Sequence, residues 1–193
     1  MSLVYVFMAQ GFEEMELVIT IDILRRAGID AKAVSITDST SPIIGSRGIP
    51  ITPDLKISEM DFSKCDLVAL PGGIEGTKRL AESDQVLEAV KKFYSAGKYV
   101  AAICAGPTVL VKAGILKGKR ATSHPSAQEY MQGCLFQTHR VVVEDRIITS
   151  RAAGTTFEFA FKLVEILSGK EKIREVNKGV LAILPEALPE LMN

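Results

Sequence analysis

The stretch that decides the reading is Tyr99-Val100-Ala101-Ala102-Ile103-Cys104-Ala105-Gly106-Pro107, followed by Thr108-Val109-Leu110-Val111. Five apolar, largely small residues read as a buried strand. Gly106 and Pro107 then force a tight turn into a short helix that ends near Gly114. Cys104 sits on that strand-to-helix turn, a geometry known from nucleophile elbows. The turn puts the sulfur near a helix N-terminus, whose partial positive charge favours thiolate and predicts a lowered thiol pKa. A cysteine in such surroundings is also simply a small buried hydrophobe. Cys65 and Cys134 have no comparable context and read as structural.

Outward from this stretch, strand-like and helix-like segments alternate. Leu3–Met8 is a buried strand, Gln10–Phe12 a turn, and Glu13–Ala27 a helix with an apolar stripe at Leu17, Val18, Ile21 and Leu24, capped by Gly28. Asp30–Ile36 is the second strand. Asp38–Pro53, rich in Ser, Thr, Gly and Pro, predicts an excursion with a small hairpin or bulge. Asp66–Leu70 is the third strand, closed by Pro71-Gly72-Gly73, and Ser83 N-caps a helix through Tyr94. Further on come a short strand at Lys119–Thr122 and a short helix around Ala127–Gln132. Val141–Val143 and Arg146–Thr149 form a hairpin, and helices follow at about Thr156–Leu167 and Lys170–Lys178. The tail from Pro185 is expected to be peripheral.

This alternation, with nearly continuous apolar strands, predicts an α/β three-layer sandwich: a mostly parallel sheet with helices on both faces. Sites in such folds lie at the carboxyl ends of the strands, here after Met8, Leu70, Ile103 and Thr149. The chain has 193 residues, which fits a single domain over 1–193. With 47% apolar and 24% charged residues it is neither disordered nor fibrous. Twenty-three basic and 23 acidic residues balance, so there is no strong nucleic-acid signal. No stretch is long enough to span a membrane. Three cysteines without Cys-x-x-Cys argue against a disulfide scaffold or a zinc module, so no metal is expected and a cytoplasmic location is the simplest reading. With neither G-x-G-x-x-G nor a Walker motif, no nucleotide cofactor is expected.

Glu13 and Glu14 read as helix-start charges. Glu16 falls on the edge of the apolar stripe, where a desolvated carboxyl can stay protonated and donate a hydrogen bond to a thiolate; an edge-of-face surface glutamate is the alternative. Backbone N–H groups at Gly72-Gly73 can serve either a turn or an oxyanion hole facing Cys104. His124, in Ser123-His124-Pro125, is a candidate base or a structural histidine. Arg47 and Arg151 each read as an anion ligand or a dimer contact.

Taken together, Gly11-Phe12-Glu13-Glu14-Met15-Glu16, Asp22-Ile23-Leu24-Arg25-Arg26-Ala27-Gly28, Leu70-Pro71-Gly72-Gly73, Ala101 to Pro107, Thr122-Ser123-His124-Pro125 and Thr149-Ser150-Arg151 resemble the ThiJ/PfpI family. The nearest branch is that of the Parkinson-disease protein deglycase and its bacterial counterparts. The motif blocks run in order from about Leu3 to Asn177; the tail from about 179 lies beyond them. The resemblance implies a flavodoxin-like sandwich that forms homodimers, with Cys104 as an oxidation-sensitive nucleophile and Glu16 as its protonated partner. His124 matches the family's nearby histidine. Gly72, Gly73 and Ala105 match backbone around the thiol, and Arg47 matches an arginine at the dimer contact. It further implies cofactor-independent conversion of methylglyoxal and glyoxal to hydroxyacids, deglycation of protein or nucleotide adducts, and a redox-linked chaperone role. Members with peptidase activity carry His directly after the nucleophile. Here that residue is Ala105, so peptidase activity is not expected.

Overall fold

The computed structural model describes residues 2–182. The elements, in chain order, begin with β1 (Leu3–Met8), α1 (Glu14–Arg26) and β2 (Asp30–Ser35). A two-stranded antiparallel hairpin follows, β3 (Ile43–Ile44) and β4 (Pro50–Ile51), then β5 (Leu55–Lys56) and β6 (Leu67–Leu70). Next come α2 (Ile74–Glu82), α3 (Asp84–Ser95), β7 (Tyr99–Ile103) and α4 (Pro107–Lys112). The last are β8 (Arg120–Ala121), β9 (Leu135–Phe136), β10 (Val141–Glu144), β11 (Ile147–Ser150), α5 (Thr156–Ser168) and α6 (Lys170–Val180).

Seven strands form the central sheet in the order β10-β11-β7-β6-β1-β2-β5. Only the β10–β11 pair is antiparallel. Leaving aside the two edge strands β5 and β10, the order is 2-1-3-4-5, the flavodoxin-like arrangement with its switch point between the first and third strands. Alternate side chains of each strand serve opposite faces. Val4, Val6 and Met8 pack with Leu17, Ile23 and Leu24 of α1, Phe159 and Leu163 of α5, and Ile173 of α6. Tyr5 and Phe7 pack on the other face with Leu80 of α2, Val90 and Phe93 of α3, and Leu110 of α4. The result is the expected three-layer sandwich.

Several local expectations are corrected. Residues 74–82, for which the sequence pattern predicts no element, form α2. The segment expected as a helix around Ala127–Gln132 is a 3-10 helix over Pro125–Tyr130. Val18, placed on the apolar stripe of α1, is 47% exposed, while Ile23 is fully buried. The hairpin around Glu144-Asp145 forms as expected, with Asp145 at φ 57°. The tail expected to be peripheral lies outside the described residues. Among the described residues, no helix is long and apolar enough to cross a membrane.

Candidate active site

Three loops at the carboxyl ends of β1, β6 and β7 meet at the switch point. Cys104 follows β7 directly and has a left-handed backbone, φ 63°, which costs a non-glycine residue about 1–2 kcal/mol. The surroundings hold it there. Its N–H donates to the Ser150 carbonyl at 3.0 Å, and its carbonyl accepts from His124 N–H at 2.8 Å. Gly106 permits the turn, because a Cβ there would meet the Leu70 carbonyl oxygen at 2.6 Å.

Glu16 comes from the first turn of α1 and is 1% exposed. Its Oε2 accepts from Gly72 N–H at 2.6 Å. Its Oε1 is buried without a hydrogen-bond donor of ordinary geometry among the described residues. Gly72 leaves room for Glu16 beside Cys104: a Cβ on Gly72 would lie 2.7 Å from Cys104 Cβ and 2.8 Å from Glu16 Oε2. Burial, against the opposing hydrogen bonds from Gly72 and Cys104, pushes the Glu16 carboxyl up to about 7.

Cys104 departs from expectation. α4 has only six residues, so its dipole is a weak source of thiolate stabilisation. Burial, the charge of Glu16 and its hydrogen bond push the thiol up to about 12, opposed by the N–H groups of Ala105 and Gly73. The lowered pKa expected from helix position is therefore corrected: burial beside a carboxyl outweighs six residues of helix. The two groups titrate as a pair, which holds one proton between those limits.

Gly73 N-caps α2 at φ 89°. Ala105 follows the thiol, and both line a cavity of about 570 Å³ with Cys104, Arg47 and His124. His124 caps the 3-10 helix: its Nδ1 accepts from Ser126 N–H at 3.2 Å and lies 2.7 Å from Ser126 Oγ. With Nδ1 engaged as an acceptor, the neutral ring carries its proton on Nε2. Arg151 is not brought to this cavity; its Nη1 donates to the Thr138 carbonyl at 2.8 Å, outside the cavity wall. Cys65 is buried, with Sγ donating to the Leu67 carbonyl at 3.1 Å, and burial pushes it up to about 12. Cys134 donates to the Met131 carbonyl. Among the described residues, no three His, Cys, Asp or Glu side chains cluster as a metal site requires.

Glu14 is a helix-start charge, as expected, at the first position of α1, and it has a second role that the helix pattern does not show. It is buried, and its carboxylate accepts from Arg47 N–H at 2.6 Å, Ser46 Oγ at 3.0 Å and Ile49 N–H at 3.4 Å. Burial pushes this carboxyl up, but those hydrogen bonds prevail and leave it lowered. Glu14 thereby fixes the loop that carries Arg47 to the cavity. Glu75 and Arg79, from the unexpected α2, also line it. The one sequence signal for the loop was Gly45, where a Cβ would collide with the Glu14 carboxyl group.

The chain matches the DJ-1/PfpI family over residues 2–166. It is 42% identical over 178 residues to Protein dj-1beta of Drosophila melanogaster, covering 91% of this chain and 95% of that one. It is 38% identical over 168 residues to Glutathione-independent glyoxalase DJR-1.2 of Caenorhabditis elegans, covering 86% and 88%. The crystal structure of Drosophila melanogaster DJ-1beta superposes with a TM-score of 0.91 at 39% identity, covering 95% of this chain and 99% of that one. By its sequence and by its fold, this chain belongs to the DJ-1/PfpI family.

Proposed function

We propose that the chain is a cofactor-independent cysteine enzyme that converts α-oxoaldehydes such as methylglyoxal and glyoxal to hydroxyacids, and acts on glycated adducts of the same chemistry. The carrying observation is the Cys104–Glu16 pair, two proton-binding side chains hydrogen-bonded to each other beside Gly72, where a Cβ would press on both. The pair's shared proton belongs on Glu16. The sulfur has two backbone N–H partners, Gly73 and Ala105. Glu16 has one, and its Oε1 has none of ordinary geometry. An anion is favoured where donors converge, and a buried oxygen without a donor is satisfied when it carries the proton itself.

The chemistry then runs with no outside oxidant or reductant. The Cys104 thiolate adds to the aldehyde carbon, and the charge moves to oxygen, toward the Gly73 and Ala105 N–H groups. Glu16 gives that oxygen its proton, making a hemithioacetal, and is left as a carboxylate. It removes the proton from C1 to give an enediol and returns it to carbon at C2, while the proton on the C1 oxygen passes to the C2 oxygen. C1 is oxidised to a thioester while C2 is reduced to an alcohol. Water adds to the thioester and expels the sulfur as thiolate; lactate is released from methylglyoxal, and the proton set free returns Glu16 to the acid. His124 Nε2–H orients substrate oxygen at the cavity mouth. Reaction without glutathione accords with the name of the worm relative.

A redox-sensing role with little turnover is the second reading. It is favoured by the partial exposure of Cys104, where Cys65 is fully buried; peroxide would take the sulfur to sulfinate. A second copy of the chain is the proposed partner. Met15 and Val18 of α1, with Ile44 and Ile49 of the β3–β4 hairpin, are exposed beside the Arg47 loop.

The test is methylglyoxal consumption in glutathione-free buffer with product identification. Lactate formation that disappears in Cys104→Ala, and persists in Cys65→Ala and Cys134→Ala, is expected. Undiminished lactate formation in Cys104→Ala would overturn the assignment.

A further inference from the structure

The cavity over Cys104 is far larger than a three-carbon aldehyde fills, and it does not end at the thiol. A second depression of about 550 Å³ continues from it between α2 and the 3-10 helix over Pro125–Tyr130. The two share Ile74, Ala105 and Ser126. Ala105, whose N–H faces the sulfur, therefore stands at the junction.

The two cavities differ in chemistry. Around the thiol the cavity wall carries the charged residues Arg47, Glu13, Glu75 and Arg79. Toward the second depression the wall is mostly apolar, with Ile74, Ala81, Ala127 and Tyr130 and the methylene stem of Lys78, and its polar members are Thr77, Thr108, Ser126 and Glu129. Ile74 is 82% exposed and Tyr130 60%, large apolar surface for a surface position. Ile74 is the first residue of α2, directly after Gly73, so its place relative to the oxyanion donors is fixed by the helix start.

We propose that this groove is the subsite for the substituent on the ketone carbon of larger α-oxoaldehydes, and that it selects aromatic or branched-alkyl groups. With the aldehyde carbon on the sulfur and its oxygen at the Gly73 and Ala105 N–H groups, an apolar substituent has one apolar way out, past Ala105 between Ile74 and Tyr130. The inference rests on the aldehyde chemistry proposed above and adds the substrate class.

The experiment measures kcat/KM for phenylglyoxal and for methylglyoxal, by mandelate and lactate formation, in the wild type and in Ile74→Ser/Tyr130→Ser. Both positions are exposed, and unchanged circular dichroism and melting would show that the fold is kept. The expected result is a ratio of phenylglyoxal to methylglyoxal efficiency that falls about tenfold in the double variant, the scale of discrimination carried by an apolar contact. A wild type that makes lactate, with the ratio unchanged in the variant, would overturn the groove and leave the aldehyde chemistry standing. Loss confined to a methylglyoxal-modified peptide would give the groove to a peptide chain and likewise overturn it. A wild type that turns over neither aldehyde would overturn both.

Discussion

Replacing Glu16 by leucine separates two arrangements of the same proton. If the pair holds its proton on Glu16, the acid donates to a thiolate, and the alkylation midpoint of Cys104 follows the first ionisation of the pair, at about 7. Glu16→Leu removes that donor and makes the surroundings more apolar, and both changes disfavour thiolate. A hydrogen bond to a charged group contributes about 1.5–3 kcal/mol. At 1.36 kcal/mol per pKa unit, the midpoint should rise by about one to two units. If instead the carboxylate accepts from a neutral thiol, the wild-type thiol titrates at about 12, held up by burial and by the Glu16 charge. Removing that charge would then lower the midpoint. The assay is iodoacetamide rate against pH in a background with Cys65 and Cys134 replaced, so that one thiol reports. A midpoint that stays put or falls in Glu16→Leu refutes the acid–thiolate pair, and the proton transfers would pass to His124.

Other outcomes follow from the same geometry. The unfolded Glu16 carboxyl gives up its proton at 4.5, but the folded pair keeps that proton until about 7, so the pair's contribution to stability is present below 4.5 and lost as pH rises through 7. Melting curves should show the wild type losing about 3 kcal/mol relative to Glu16→Gln over that interval. Gly72→Ala, whose methyl would lie 2.7 Å from Cys104 Cβ, should cut the alkylation rate at pH 7 at least tenfold by forcing the pair apart; wild-type reactivity in this variant would show that the spacing is immaterial. Glu14→Gln should lower stability by about 1–2 kcal/mol in urea unfolding, since charge-assisted acceptors are replaced by a weaker one. Glu14 is lowered in the fold, so its contribution is present above the usual carboxylate range and lost as pH falls. Val18→Asp should convert a particle of twice the chain mass to one of the chain mass in light scattering, and no change would remove α1 from the dimer surface.

The fold was legible because β1, β6 and β7 are short, continuous apolar runs closed by turn residues and alternating with helical stripes, the pattern of doubly covered parallel strands. α2 escaped because it starts on Gly73 with no side-chain cap, places Ile74 in solvent and buries only Gly76, Thr77 and Leu80. Its brief apolar pattern was hidden behind a Pro-Gly-Gly turn. Cys104 was legible from its own turn, which local residues determine. Its protonation was not: the groups that set it are a carboxyl from α1 and amides after β6 and β7, brought in by sheet order. Glu14 was legible as a helix-start charge, but not as the anchor of the Arg47 loop, since its partners lie more than thirty residues away in the β3–β4 hairpin. Val18 and Ile23 exchanged roles because the packing of α1 against α5, not the period of the stripe, sets its buried edge.

Gly72 has a consequence beyond spacing. Because only a residue without a Cβ lets Cys104 and Glu16 approach each other past this strand end, the room for the pair is inherited from the alignment of β6 between β1 and β7, Ala69 against Val6 and Ala101. A slip of one residue would bring Pro71 to that point, and proline has no N–H to offer Glu16. The thiol is thus a built-in gauge of sheet registration. Cavity-forming substitutions at Val68 or Leu67, far from any substrate, should alter Cys104 alkylation kinetics under conditions where the chain is still folded. The reactive sulfur would then report wear in the core as a change of rate, ahead of any loss of structure.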